Sequence, residues 1–251
     1  MKAQIDNLFN IKKIIIDTDI FEYPNLLLVT GENFSGKSLL LKYLFILYYK
    51  GKDKDVMFKH IFNEDYDEFK RKFGHKYYFE PEKREKYQPV FIEPEFLVLL
   101  KYNIDKFLKE KFNYQIYKPE ILKRFFGFTL KNSKNEEKNW KIVLPDEKEI
   151  PFNLSSQSLL YISLMHNYIW SSNFNVIIID NIDLFLSYNF IESMAYYIKY
   201  LIDLDLTVIC SFNNSLFIRK LIEAFNTYDV EKNILVSFYD KNLDGFRFKH
   251  I

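Results

Sequence analysis

Leu26-Leu27-Leu28-Val29-Thr30-Gly31-Glu32-Asn33-Phe34-Ser35-Gly36-Lys37-Ser38 is the stretch that decides how this chain is read. Four consecutive apolar residues predict a strand buried on both faces, and the apolar run after Ser38 predicts a helix over Lys37 to Tyr49. Between them, Gly31 to Ser38 fits G-x-x-x-x-G-K-[ST] without a mismatch, in the strand–loop–helix context that the pattern requires. The spacing has a physical reason. A glycine-hinged loop wraps its N–H groups around a β-phosphate, and the helix N-terminus adds partial positive charge to the same anion. In that reading Gly31, Glu32, Asn33, Phe34, Ser35, Gly36, Lys37, Ser38 and Leu39 bind the nucleotide, with Lys37 on the β- and γ-phosphates and Ser38 on Mg²⁺. The competing reading is an ordinary turn that contains Gly-Lys-Ser.

Working outward, IKKIII (11–16) predicts a strand, followed by a turn through Glu22-Tyr23-Pro24-Asn25. Toward the C-terminus the pattern predicts a helix from about Ser158 to Trp170 and a strand over Val176–Ile179. A helix near Tyr188–Ile202 and a strand over Leu206–Cys210 follow. Helices alternating with apolar strands imply an α/β fold with a mostly parallel central sheet covered by helices, here with an antiparallel β element at the N-terminus. ILVSFY and FRFKHI, joined by Asp240 to Gly245, predict a closing hairpin.

Composition bounds the rest. The 35 Lys and Arg nearly balance 34 Asp and Glu, so no global field demands a nucleic acid or an anionic membrane; a local patch stays open. Residues 51 to 150 hold 22 basic and 19 acidic side chains, which marks an inserted, charged helical lobe within a single domain spanning 1–251. That lobe must also supply the rest of the sheet. Residues 151 to 200 carry only Asp180, Asp183, Glu192 and Lys199 as charges and are expected inside the fold. The single cysteine, Cys210, excludes an intramolecular disulfide and any zinc site that needs several thiolates, which suggests a reducing, cytoplasmic home. The start, MKAQIDNLFNIKK, has no signal-peptide pattern, and no apolar run reaches the roughly 20 residues of a membrane span. The 47 aromatic residues are expected to fill the core rather than to stack on bases. His60, His75, His166 and His250 have no metal-ligand spacing, and His166 reads as a satisfied core residue. Basic runs such as 69–76 and 131–141 contain or adjoin acids and read as solvated faces.

Asp180, ending Val176-Ile177-Ile178-Ile179, is placed as a carboxylate for the Mg²⁺ shell of a phosphate loop. The next position, which in such proteins polarises the attacking water, is Asn181; Asn cannot take a proton at neutral pH. Asp183 is the nearest carboxylate that could substitute, or it simply begins the next helix. Hydrolysis is therefore expected to be slow or partner-dependent.

The loop LLLVTGENFSGKSLLLK resembles the ATP-binding-cassette superfamily, in particular its RecF, SMC and overcoming-lysogenization-defect branch. Motif order agrees, since Asn153-Leu154-Ser155-Ser156-Gln157-Ser158 stands where that family has a signature segment, with Leu154 26 residues before Asp180. The resemblance implies an ATPase with two ATP molecules and Mg²⁺ held between two heads, and hence an ATP-dependent homodimer or a complex with an effector protein. It implies a role in DNA maintenance, repair or defence, with nucleic acid an open partner and no membrane insertion. Ser155, Ser156, Gln157 and Ser158 would face the nucleotide of the other subunit; the competing reading is a serine helix cap. The family's signature glycines are missing here, and Asn213 stands where a switch histidine is usual. Gln88, 51 residues after Lys37, is the candidate metal-contacting glutamine, against the alternative of an exposed polar residue before Pro89. Long coiled-coil arms have no room in the 116 residues between Gly36 and Asn153. Two other readings stay open: a DnaA-like AAA+ ATPase, suggested by IIIDNIDLF and Asn213, and a head that binds nucleotide only structurally within an effector or nuclease complex.

Overall fold

A computed structural model describes residues 1–9, 11–17, 25–31, 36–49, 51, 53–81, 87–93, 112, 115–132, 140–225, 235–240 and 245–250. A nine-stranded sheet runs in the order β4 (Lys76–Glu80), β1 (Lys2–Leu8), β2 (Ile11–Asp17), β12 (Gly245–His250), β11 (Leu235–Asp240), β3 (Leu26–Val29), β10 (Thr207–Ser211), β9 (Val176–Ile179), β5 (Pro89–Ile92). Its first part is antiparallel: β1 (Lys2–Leu8) pairs with both β2 (Ile11–Asp17) and β4 (Lys76–Glu80). Its second part is parallel: β3 (Leu26–Val29), β10 (Thr207–Ser211), β9 (Val176–Ile179) and β5 (Pro89–Ile92) lie side by side. The expected closing hairpin, β11 (Leu235–Asp240) and β12 (Gly245–His250), joins the two parts by pairing in parallel with β3 and β2.

Every residue of β3, β9 and β10 is buried, which is why these strands read as unbroken apolar runs. One face of the parallel part (Leu27, Val29, Ile178, Ile209) packs on α1 (Lys37–Tyr48) through Leu40, Leu41 and Leu44. The other face (Leu26, Leu28, Ile177, Ile179, Val208, Cys210) is covered by α5 (Gln157–Trp170), α6 (Tyr188–Asp203) and α7 (Ser215–Phe225). No described helix is long and apolar enough to cross a membrane.

The charged middle supplies, as expected, both helices and the rest of the sheet. It contributes α2 (Lys54–Phe62), α3 (Tyr66–Phe73) and α4 (Pro119–Phe126), but also β4 and β5 of the large sheet. Strands β6 (Thr129–Asn132), β7 (Trp140–Val143) and β8 (Glu149–Pro151) form a second small sheet. The aromatic excess fills the core. Phe9, Phe58, Phe62, Phe69 and Phe73 pack ring to ring under α2 and α3, with Phe58–Phe62 and Phe9–Phe69 centroids both 4.7 Å apart.

His166 is a satisfied core residue. Its Nε2–H donates to the carbonyls of Tyr117 (3.0 Å) and Lys118 (3.1 Å), and its Nδ1 accepts from Tyr197 Oη at 3.0 Å. Burial lowers its pKa to about 4, so it is neutral at pH 7.

Candidate phosphate-binding site

The sequence puts the site where β3 turns into α1, and the parallel register decides what surrounds it. Val29 pairs with Ser211, Cys210 with Ile179, and Ile179 with Ile92, so Thr30, Phe212, Asp180 and Glu93 follow at one rim of the sheet. Side chains alternate across the pleat. Asp180 therefore shares the α1 face with Ile178, Ser211 shares it with Ile209, and Glu93 shares it with Phe91. The start of α1 lies over this same face.

Gly36 caps α1 with φ +90° and ψ 15°, a left-handed conformation that glycine adopts without strain. Its first turn contains no acidic residue, so the helix's partial positive charge is not neutralised from within. Lys37 is 6 % exposed and donates from Nζ to the Gly31 carbonyl at 2.9 Å. Burial lowers its pKa, and the charges of Asp180 and Asp183 oppose that shift. Ser38 is half-buried one residue on. Glu32, Asn33, Phe34 and Ser35 lie outside the described residues, as does the Glu22-Tyr23-Pro24 turn.

Asp180 is 5 % exposed, and its Oδ1 accepts from Ser211 Oγ at 2.5 Å. Ser211 Oγ in turn accepts the Asn181 N–H at 2.8 Å, so one buried hydroxyl fixes both the carboxylate and the start of the following turn. Ser211 was not among the sequence candidates; its signal is a polar residue closing the apolar strand Val208-Ile209-Cys210.

Asn181, Asp183 and Asn213 do come together, but not as a row of free catalytic groups. Asn181 has φ +44°, and its Oδ1 accepts from Asn213 Nδ2 at 3.1 Å. The Asp183 carboxylate accepts the backbone N–H groups of Asn213 (3.0 Å) and Asn214 (2.6 Å), pinning the loop that leads into α7. Asn214 Oδ1 then accepts the Leu216 N–H at 2.9 Å at the entry to that helix.

The signature candidates separate into two pairs. Ser155 is buried with its hydroxyl on the Phe152 carbonyl at 2.7 Å, and Ser158 Oγ donates to the Phe185 carbonyl at 2.6 Å while accepting the Ser187 N–H at 3.1 Å. Ser156 caps α5 by accepting the Leu159 N–H at 3.4 Å, and both Ser156 and Gln157 are exposed. The serine-cap reading thus holds for Ser156, and only this second pair presents itself outward.

Gln88 needs correcting as a metal contact. It precedes Pro89, whose partner is Val176 at the start of β9, so it stands at the opposite end of the strands from Asp180. There its backbone N–H donates to Asn175 Oδ1 at 2.8 Å. The residue that β5 delivers beside Asp180 is Glu93, whose carboxylate pairs with Lys42 Nζ of α1 at 2.6 Å. Its sequence signal is the same as that of Asp180, an acid directly after an apolar strand. Among the described residues no cluster of three or more His, Cys, Asp or Glu could by itself hold a metal. Burial pushes the Cys210 thiol well up in pKa, which makes it a poor ligand.

No protein-family model and no curated protein sequence matches the chain. Solved structures do. The chain is similar to the SMC head domain from Thermotoga maritima, with TM-score 0.59 at 15 % identity over 100 % of this chain and 98 % of that one. It is also similar to an SMC head bound to the C-winged helix domain of ScpA, with TM-score 0.56 at 12 % identity over 100 % and 96 %. A metal-chelate type ABC transporter in an inward-facing conformation gives 0.51 at 13 % identity over 100 % and 84 %. The fold is thus that of the SMC and ABC kind of P-loop ATPase head, a mixed α/β sheet covered by helices.

Proposed function

We propose that the chain binds ATP with Mg²⁺ at this rim, hydrolyses it slowly, and uses it as a removable bridge between two copies. One observation carries the reading: buried Lys37 and buried Asp180 converge at a helix N-terminus whose cap residue is Gly36 and whose first turn contains no acid. The positive end of a helix and a desolvated ammonium suit a phosphate chain, and a carboxylate a short way off suits its cation. Ser38 and Asp180 would hold Mg²⁺, with Glu93 as the further carboxylate at the rim. The ion, when bound, neutralises phosphate charge.

The chain's own residues account for slow turnover. The Asn181 amide can orient a water but cannot remove its proton. Asp183 is occupied by backbone N–H groups, so reorienting it toward a water as a base would release the 213–214 loop. For the bridge between copies, the support is a surface. Ser156 and Gln157 lie at the exposed start of α5, and Leu154 (73 % exposed), Leu184 (49 %) and Tyr188 (72 %) flank the seam where Ser158 holds the 185–187 turn.

A role in DNA maintenance, repair or defence, alone or with an effector protein, rests on the resemblance of the GENFSGKS loop and the motif order. A cassette head is supported over the DnaA-like alternative by the match to SMC heads along the full length of this chain. Light scattering with and without ATP and Mg²⁺ tests the proposal. A doubling of mass is expected for the natural chain and none for Lys37→Ala. An unchanged mass in a protein that binds ATP would overturn the bridging role, and large rings would favour the AAA+ reading.

A further inference from the structure

Among the described strands, β4 is an edge of the large sheet, hydrogen-bonded to β1 on one side. Natural edges are commonly blunted by charge, proline or a covering element. This one is Lys76-Tyr77-Tyr78-Phe79-Glu80, with four of its five residues exposed and Phe79 half-buried. Tyr77 is 40 % and Tyr78 57 % exposed. On the outward face the row continues from Tyr78 through Gln4 to Ile15, itself 52 % exposed. Among the described residues, an edge of exposed rings set between two opposite charges, with exposed Ile15 further along the same face, is a surface that another strand can join.

The edge is complementary to itself. Run antiparallel about Tyr78, Lys76 meets Glu80 of the partner subunit, Tyr77 meets Phe79 of the partner subunit, and the two Tyr78 rings face each other. The second charge pair is generated by the same two-fold axis. Shifting the centre loses both pairs: about Tyr77, Lys76 faces Tyr78 and Glu80 faces Gly74, and about Phe79, Glu80 faces Tyr78 while Lys76 runs past the end of the strand. Within one chain Tyr78 Oη donates to Glu80 Oε2 at 2.6 Å, which holds that carboxylate at the edge.

We propose that β4 pairs with β4 of a second copy across a two-fold axis, joining two sheets into one without nucleotide. The edge lies five strands from β3, roughly 24 Å at the usual strand spacing, so this contact and an ATP bridge occupy different faces. The pairing does not depend on the ATP reading.

Sedimentation velocity in nucleotide-free buffer tests it at roughly 10–100 µM protein, the range in which a contact of this size is populated. The natural chain and Lys37→Ala are both expected to be dimers. Lys76→Glu and Glu80→Lys should each be monomers, because each places like charges opposite one another at both ends of the ladder. An equimolar mixture of the two should form a heterodimer, since each then supplies the charge that the other lacks. Each substitution also puts a like charge opposite Asp6 or Lys2 of β1. Melting curves check that both variants fold, and the mixture contains the same chains, so recovered dimer cannot come from repaired folding. A monomeric natural chain, as expected if the edge serves a different protein's strand, would overturn the proposal. So would variants that stay dimeric, or a mixture that stays monomeric. A nucleotide-dependent doubling that persists in monomeric Lys76→Glu would leave the ATP bridge standing whatever the fate of β4.

Discussion

Placing a carboxylate at position 181 tests how much of the proposed slow turnover lies in one side chain. Asn181 occupies the left-handed region at φ +44°, which Asn enters easily and Glu does not. The substitution Asn181→Glu should therefore cost about 1 to 2 kcal/mol in backbone strain, or roughly 2 to 8 °C in melting temperature for a chain of this size. Its contacts are otherwise conserved, because the N–H still donates to Ser211 Oγ and a carboxylate still accepts from Asn213 Nδ2. A positioned general base is worth about 10²- to 10⁴-fold, equivalent to about 3 to 5 kcal/mol off the barrier. The assay is steady-state phosphate release at saturating ATP and Mg²⁺, run beside a thermal melt. A variant that melts within those few degrees, binds ATP and turns over no faster than the natural chain would refute the water-polarising role of this position.

Glu93→Gln should weaken the Mg²⁺ dependence of ATP binding by about tenfold, the lower end for outer-shell groups, whereas Gln88→Ala should leave it unchanged; titrating Mg²⁺ at fixed ATP distinguishes the two. Ser158→Ala removes a donor and an acceptor from the 185–187 turn and should cost about 1 to 2 kcal/mol. Calorimetry should find its ATP affinity intact while light scattering finds the ATP-dependent mass shift reduced, and an intact shift would detach that turn from the bridge. His166 sets a pH window. Its folded pKa of about 4 lies below the ordinary 6.5, so the unfolded chain binds the extra proton between those values. Stability is full above about pH 6.5 and falls as pH drops toward 4, by up to about 3 kcal/mol from this group. Burial of His75 acts in the same sense. Urea titrations from pH 7.5 to 4.5 should find this slope reduced in His166→Phe, and an unaltered slope would refute the assignment.

What could be read in advance follows from how completely a segment is buried. The strands Leu26–Val29 and Val176–Ile179 match the expectation residue for residue, because a strand covered on both faces contains only apolar side chains. β10 runs one residue past the expected Cys210, since Ser211 faces Asp180 rather than the core. β1 has no such signature: KAQIDNL is half solvated, and its alternation becomes evident only beside β2. The site divides the same way. The place of Asp180 at the end of β9 is legible because it is local, an acid directly after an apolar run. Gln88 misled because spacing along the chain does not say at which end of a strand a residue stands. Asp183 looked available because its partners, the N–H groups of Asn213 and Asn214, are 30 residues away and visible only in the fold.

Pleat parity explains why so few residues govern the site. Asp180, Ser211 and Glu93 each stand two positions beyond a side chain that packs on the α1 face, and that face alone looks toward Lys37. The neighbours Asn181 and Phe212 have the opposite parity, so they are not delivered to the ammonium however near they lie in sequence. Asn181 recovers a place near the rim only by its left-handed turn, which aims its amide at Asn213. A carboxylate there would therefore enter the site through the 213 loop rather than beside Lys37. Mutations of Asn213 and Asn181 should accordingly couple to each other more strongly than either does to Lys37, and a double-mutant cycle in ATP turnover would read that difference directly.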